Sequence, residues 1–184
     1  MCRYWEKKSN FEATVRVPTL ISVPNAIASH GQVTDSLFEL VDMMPTVVSL
    51  AGLTVPSGLD GIDQSALLTE PHTGLKEYAF HQYPACGKLP TFNSTRAECN
   101  QVPKEQFKAM GYTVRDASWR YTRWLWWNAT KLNGEWDGEF AEELYDHDGD
   151  LGAPFDRFEN VNVASAHPDL CQQYTAVLRK HFAV

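Results

Sequence analysis

No apolar run in this sequence approaches the ~20 residues that a membrane-spanning helix needs. The first eleven residues, MCRYWEKKSNF, also lack the apolar stretch of a secretory signal. Basic residues are outnumbered, 16 Lys and Arg against 23 Asp and Glu, and the net charge is −7. A surface of that sign repels polyphosphate backbones and anionic bilayers, so nucleic acid is not an expected partner. P-loop, dinucleotide fingerprint, nucleophile elbow and zinc-spaced Cys/His sets are all missing. Only four cysteines are present.

What remains is an ordinary folding composition, 43% hydrophobic and 21% charged over 184 residues, enough to bury a core as one domain or as parts of two. The stretch from Met110 to His147 organises it. Tyr112 to Arg115 and Trp119 to Trp127 are rich in β-branched and aromatic residues, and Asp116-Ala-Ser between them is a tight polar connection. A loop with Asn133, Gly134 and Gly138 follows, and Phe140 to Tyr145 supplies a third apolar run. Glu77 to Tyr83 alternates as a strand does and is stopped by Pro84, which makes a fourth strand for the same sheet.

Elsewhere, Val15 to Val23 has strand length, although Pro18 restricts it to an edge or a strand start. Leu37 to Val41 reads as a short strand. Asp42 then caps a helix that carries Pro45 in its first turn and stops at Gly52. Leu170, Tyr174, Val177, Leu178 and Phe182 recur at helical spacing, with Lys180 and His181 favouring the negative end of that helix. The pattern predicts an α+β architecture: the tail of one α/β unit, then a four-stranded antiparallel sheet covered by a C-terminal helix. A boundary falls in the connection Pro56 to Pro71.

Asn93-Ser-Thr and Asn128-Ala-Thr are N-glycosylation sequons, and Cys86 and Cys99 flank a loop rich in Pro, Asn and Ser that a disulfide would staple. Secretory features without a signal suggest a chain that lacks its front. Asp146-His147-Asp148-Gly149-Asp150 offers oxygens to a hard cation, but reads first as a solvated turn, because an EF-hand loop places a Glu far better. His81 reads as a packing or surface residue. The aromatics Trp119, Tyr121, Trp124, Trp126 and Trp127 could stack on sugars, yet suit a core more readily. From the residues alone no reaction is visible.

Six stretches add a resemblance. Asp42-Met-Met-Pro-Thr-Val-Val-Ser-Leu-Ala-Gly52 resembles the D-x-x-PT-x-x-x-x-AG segment of sulfatases in the alkaline-phosphatase-like superfamily. Glu143-Leu-Tyr-Asp146 with Phe155 to Asn162 resembles their E-L-Y-D and D-P-x-E-x-x-N segments. Trp5 to Phe11, His81-Gln-Tyr-Pro84 and Met110 to Arg115 are similar to runs of the branch that desulfates 2-sulfated iduronate.

The resemblance implies an α/β fragment of that superfamily, with residues 1–70 as the end of the catalytic domain and 71–184 as the C-terminal subdomain. It implies a lysosomal or secreted hydrolase of sulfate esters in heparan or dermatan sulfate, using a formylglycine and calcium. Lys7 matches the sulfate-contacting lysine, with a role in neutralising the sulfate or the leaving oxygen, and Glu143 matches a position turned toward the substrate pocket. The chain departs from the family in having no Cys-x-Pro-x-Arg around Cys2, Cys86, Cys99 or Cys171, no paired Asp residues and no Asp-His-Gly ahead of the lysine. It is therefore expected to be inactive alone and to need the N-terminal catalytic portion of the same protein. A non-catalytic glycan- or partner-binding domain, or a sulfatase acting on choline or aryl sulfate, are the alternative readings.

Overall fold

The structure is a computed structural model that describes residues 8–86, 99, 102–152 and 157–182. The chain separates into two compact units, one of residues 17–79 and one joining 8–16 to 80–182.

In the larger unit, β1 (Ala79–Cys86), β2 (Phe107–Arg115), β3 (Trp119–Asn128) and β4 (Asn133–Asp146) form one sheet in sequence order, the expected meander. β2 and β3 pair antiparallel, with Val114 opposite Tyr121 and Thr113 opposite Thr122. β3 and β4 also pair antiparallel, with Tyr121 opposite Leu144. The β2–β3 turn is fixed by Asp116, whose Oδ1 accepts from the amides of Ser118 (2.9 Å) and Trp119 (2.8 Å). This is the local hydrogen bonding that Asp offers a turn.

β4 begins seven residues earlier than the sequence suggested. Asn133-Gly134 reads as a loop, but Gly134 lies within the strand, and a Cβ there would come within 2.8 Å of the Tyr112 ring, which is why a glycine occupies it. Its amide donates to the Tyr112 hydroxyl at 3.2 Å. The strand accommodates Gly134 and Gly138 through register shifts between Trp124 and Trp127.

The C-terminal helix, Pro168–Phe182, buries Cys171, Tyr174 and Leu178. Tyr174 and Leu178 of the expected stripe are thus buried, Cys171 joins them, and Leu170 and Val177 are half-buried at the flanks. Tyr174 stacks on Tyr121, and the Tyr174 hydroxyl donates to Asp116 Oδ2, tying helix to turn. Tyr121, Leu125, Leu144, Val114 and Leu178 are fully buried between helix and sheet. Burial pushes the Tyr121 hydroxyl up to about 12, and the nearby Glu142 carboxylate adds to the shift.

The smaller unit differs from expectation in two places. Residues 17–23 form no strand, with Val17, Leu20 and Ile21 exposed, because an apolar run becomes a strand only against a partner edge. Residues 40–42 form a 3₁₀ turn rather than the end of a strand. The helix Met43–Leu50 follows, with Pro45 buried in its first turn. Asp42 precedes that helix but does not cap it. Its carboxylate instead accepts from the amides of Glu39 and Ile62 (both 2.9 Å), Gln64 Nε2 (2.8 Å) and Lys76 Nζ (2.8 Å). Burial would raise its pKa, but Lys76 and the other donors hold it below the usual carboxylate range.

Candidate functional site

The two faces of the sheet differ in chemistry. Opposite the C-terminal helix, strand alternation lines up Gly111, Thr113, Arg115, Arg120, Thr122, Trp124, Glu143 and Tyr145. On this face lies the segment of residues 8–16, which includes the short helix Glu12–Val15. The buried layer is polar: Ser9, Asn10 and Glu12 are 6%, 3% and 4% exposed, and Arg120 is 0% exposed.

Arg120 is the hub. Its Nη1 donates to the carbonyl of Asn10 (2.6 Å) and to Thr122 Oγ1 (3.0 Å), and its Nε donates to Glu159 Oε1. The guanidinium lies 5.1 Å from the Phe11 ring centre and 5.0 Å from that of Tyr145. Glu159 Oε2 accepts the Glu12 amide at 2.8 Å, and Glu159 Oε1 contacts His147 Nε2 at 3.2 Å. His147 Nδ1 meets Asp150 Oδ2 at 2.9 Å, and Arg16 reaches the same oxygen at 3.4 Å. Burial works to raise Glu159, but His147, Arg120 and the Glu12 amide hold it below the usual carboxylate range. The donors around Asp150, His147 first, do the same there. Buried charges are tolerated on these terms, each with a partner of opposite sign or a hydrogen-bond donor.

Among the described residues, Glu12, His147 and Glu159 are the group whose ligand atoms come within 4.8 Å of one another. They do not suit calcium, which takes six to eight oxygens. One donor is an imidazole nitrogen, and the Arg120 guanidinium already occupies Glu159. The Asp146–Asp150 segment is a turn, but not the solvated one expected, since the His147 and Asp150 side chains are buried. Asp146 Oδ1 accepts the Asp148 amide, Asp150 Oδ1 accepts the Gly152 amide, and the other Asp150 oxygen is held by His147.

Glu143 stands opposite Thr122 on the polar face and is half-buried. Burial raises its pKa; Arg120 and a hydrogen bond from the Trp124 side chain oppose the rise without cancelling it. Lys7 and Asn93 lie outside the described residues. Lys8, next to Lys7 in the chain, lines an open cleft of about 430 Å³ with Tyr83, Pro84, Cys99, Phe107 and Met110. Cys86 and Cys99 form a disulfide, with Cα atoms 5.5 Å apart. Asn128 ends β3, where its Oδ1 accepts the Thr130 and Lys131 amides and its Nδ2 donates to Glu135. His81 is half-buried, with burial pushing its pKa down.

The aromatic set is mostly packing. Tyr121 is core, Trp119 lies against His167, Trp127 lies against Phe107, and Trp126 is 45% exposed. Sequence reasoning did not single out Arg120, which reads as one more charge in an aromatic strand. Asn10 and Glu159 fell inside the sulfatase-like segments, but nothing in the pattern showed that they meet.

The chain is 26% identical to iduronate 2-sulfatase of Mus musculus over 189 residues, covering 79% of this chain and 33% of that protein. It is 31% identical to arylsulfatase K of Mus musculus over 178 residues, covering 96% of this chain and 27% of that protein. It therefore spans about a third or less of the length of these relatives. A phosphonate monoester hydrolase from Silicibacter pomeroyi superposes with a TM-score of 0.46 at 23% identity, over 76% of this chain and 24% of that one. A family model described as N-sulphoglucosamine sulphohydrolase, C-terminal, matches residues 2–123. That match takes in the Lys8–Arg16 segment and the strands it lies on, and with most of the chain so covered, the protein belongs to this family of sulfatase C-terminal regions.

Proposed function

We propose that the chain is the C-terminal portion of a sulfatase that hydrolyses sulfate esters of glycosaminoglycans, with 2-sulfated iduronate as the substrate unit. The observation that carries this reading is the family match over residues 2–123, together with the likeness to iduronate 2-sulfatase across 79% of the chain. In this reading residues 1–70 end the catalytic domain and 71–184 form the C-terminal subdomain. The formylglycine and the calcium ligands belong to the N-terminal catalytic portion of the same polypeptide. The exposed Leu20, Val33, Leu40, Met44, Val47 and Leu53 of the smaller unit support that reading, since so much apolar surface suits a larger domain.

Lys7 places a positive charge against the sulfate or the leaving oxygen, and Glu143 faces the substrate side. The setting is lysosomal or secreted, with Asn93 and Asn128 glycosylated and sulfated heparan or dermatan chains as partners. Calcium would serve there as a Lewis acid toward the sulfate oxygens.

A second reading keeps the family and changes the substrate to an aryl or other small sulfate ester; the likeness to arylsulfatase K over 96% of the chain favours it. The test uses the full-length protein with a disaccharide ending in 2-sulfated iduronate, and with 4-nitrocatechol sulfate as the competing substrate. Preference for the disaccharide is expected. Replacing Lys7 by Ala should lower kcat by about 10²–10³-fold, the usual cost of removing one charge-stabilising donor. Unchanged kcat after Lys7→Ala would remove its assigned role, and preference for the aryl ester would select the second reading.

A further inference from the structure

The turn between β3 and β4 carries the sequon Asn128-Ala129-Thr130. Its geometry depends on oxygens of Asn128. Oδ1 accepts the amides of Thr130 (3.0 Å) and Lys131 (2.9 Å), and the Asn128 carbonyl accepts the Leu132 amide at 2.8 Å. Leu132 closes the turn at a φ of 54°. The side-chain nitrogen Nδ2 instead meets Glu135 Oε1 at 3.2 Å, in an exposed contact. An N-linked sugar replaces one hydrogen of that nitrogen and leaves the oxygen and the second hydrogen in place. Attachment therefore costs the turn none of these hydrogen bonds. Ala129 to Asn133 are all exposed, so a bulky group has room.

Two residues before Asn128 stands Trp126, which is 45% exposed, whereas Trp119 and Trp127 lie against His167 and Phe107. Trp126 and Asn128 converge on one corner. A Cβ built on Gly138 would lie 3.7 Å from Trp126 Cδ1 and 3.8 Å from Glu135 Cβ, so the indole and Glu135 border the same spot. Glu135 is also the residue that Asn128 Nδ2 faces. A single exposed indole means little by itself. Beside the nitrogen of a sequon it has a ligand within reach, because the C–H-lined face of a pyranose suits the negative face of an aromatic ring.

We propose that Trp126 is the docking platform for an N-glycan on Asn128, whose first N-acetylglucosamine stacks on the indole and fastens the β3–β4 turn. This rests on the reading of Asn128 as glycosylated given above. The donor is a lipid-linked oligosaccharide pyrophosphate. Nδ2 bonds to the anomeric carbon, the carbon–oxygen bond to pyrophosphate breaks, and the amide gives up one proton.

The test uses full-length protein secreted from cultured animal cells. Glycopeptide mass spectrometry should find Asn128 occupied. Thr130→Ala removes the sequon but keeps Asn128 and the Thr130 amide that it holds. It should lower the Tm of the calorimetric transition containing the sheet unit by about 2–4 °C. In a Trp126→Ala background the same change should cost nothing further, since the platform is already gone. Trp126→Phe, which retains a ring face, should keep most of the difference. Equal losses with and without Trp126, or no loss in either, would overturn the docking while leaving glycosylation at Asn128 intact. Unmodified Asn128 would overturn the glycosylation as well. Should Trp126→Ala not fold, the native protein trimmed to one sugar by an endoglycosidase decides the matter. The indole ring current should move that sugar's proton resonances upfield, and resonances at their ordinary positions would overturn the stacking.

Discussion

Glu143 lies half-buried among Arg120, Trp124 and Glu159, and its ionisation sets a balance that can be measured directly. Burial raises its pKa above the ordinary 4.5, and the attraction of Arg120 only partly offsets it. A carboxyl raised by folding contributes stability below its unfolded pKa and loses that contribution as pH rises through the folded value. Glu143→Gln, neutral at every pH and still able to accept from Trp124, should therefore raise Tm at pH 7.5 and leave it unchanged at pH 4. A lower Tm for the variant at pH 7.5 would mean that Arg120 wins over burial. Glu159 has the opposite character. It lies on the same face within reach of the same arginine, yet ionises more readily than a free glutamate because His147, Arg120 and the Glu12 amide surround it. Two glutamates sixteen positions apart are thus set in opposite directions by their donors alone.

Elements follow from punctuation and period, with the errors at their edges. Helical spacing marks Leu170, Tyr174, Val177, Leu178 and Phe182 as the apolar stripe of the C-terminal helix; Tyr174 and Leu178 are buried with Cys171, while Leu170 and Val177 stay half-buried. Which residues of the stripe are fully buried is set by the sheet they meet, where Tyr174 stacks on Tyr121. Leu178 is 0% exposed, so Leu178→Ala should lower stability by about 2–5 kcal/mol, whereas half-buried Val177→Ala should cost about 1 kcal/mol or less. Urea unfolding monitored at 222 nm would separate them, and equal losses would contradict the seam. The four strands were legible because aromatic and β-branched runs alternate with turn residues. The early start of β4 was not, since Asn133-Gly134 signals a turn by local rules and the glycine is explained by the Tyr112 ring and the Leu125 side chain packed against it.

At the scale of the whole chain, acid is the informative perturbant. Glu159 and Asp150 both ionise below their ordinary values of 4.5 and 3.8, so the stability they confer is present above those values and is lost as pH falls below them. Trp5, Trp119, Trp124, Trp126, Trp127 and Trp136 all fall outside residues 17–79, so tryptophan fluorescence reports on the sheet unit alone. Urea midpoints read by fluorescence should not fall between pH 7 and pH 5, and should fall steeply below about pH 4.5. A loss that sets in between pH 7 and pH 5 would show that other groups govern the unit. The sequence by itself determined the four-stranded meander, its covering helix and, through the ordered segments from Trp5 to Asn162, the sulfatase resemblance; these depend on local period and on residues close in the chain. Only the tertiary structure decided that the segment after Lys8 lies on the sheet's polar face, and that Arg120 and Glu159, 39 positions apart, grip residues 10 to 12. The reason is that a buried charge is stable only beside partners brought from elsewhere in the chain, and no local pattern records which partners those are.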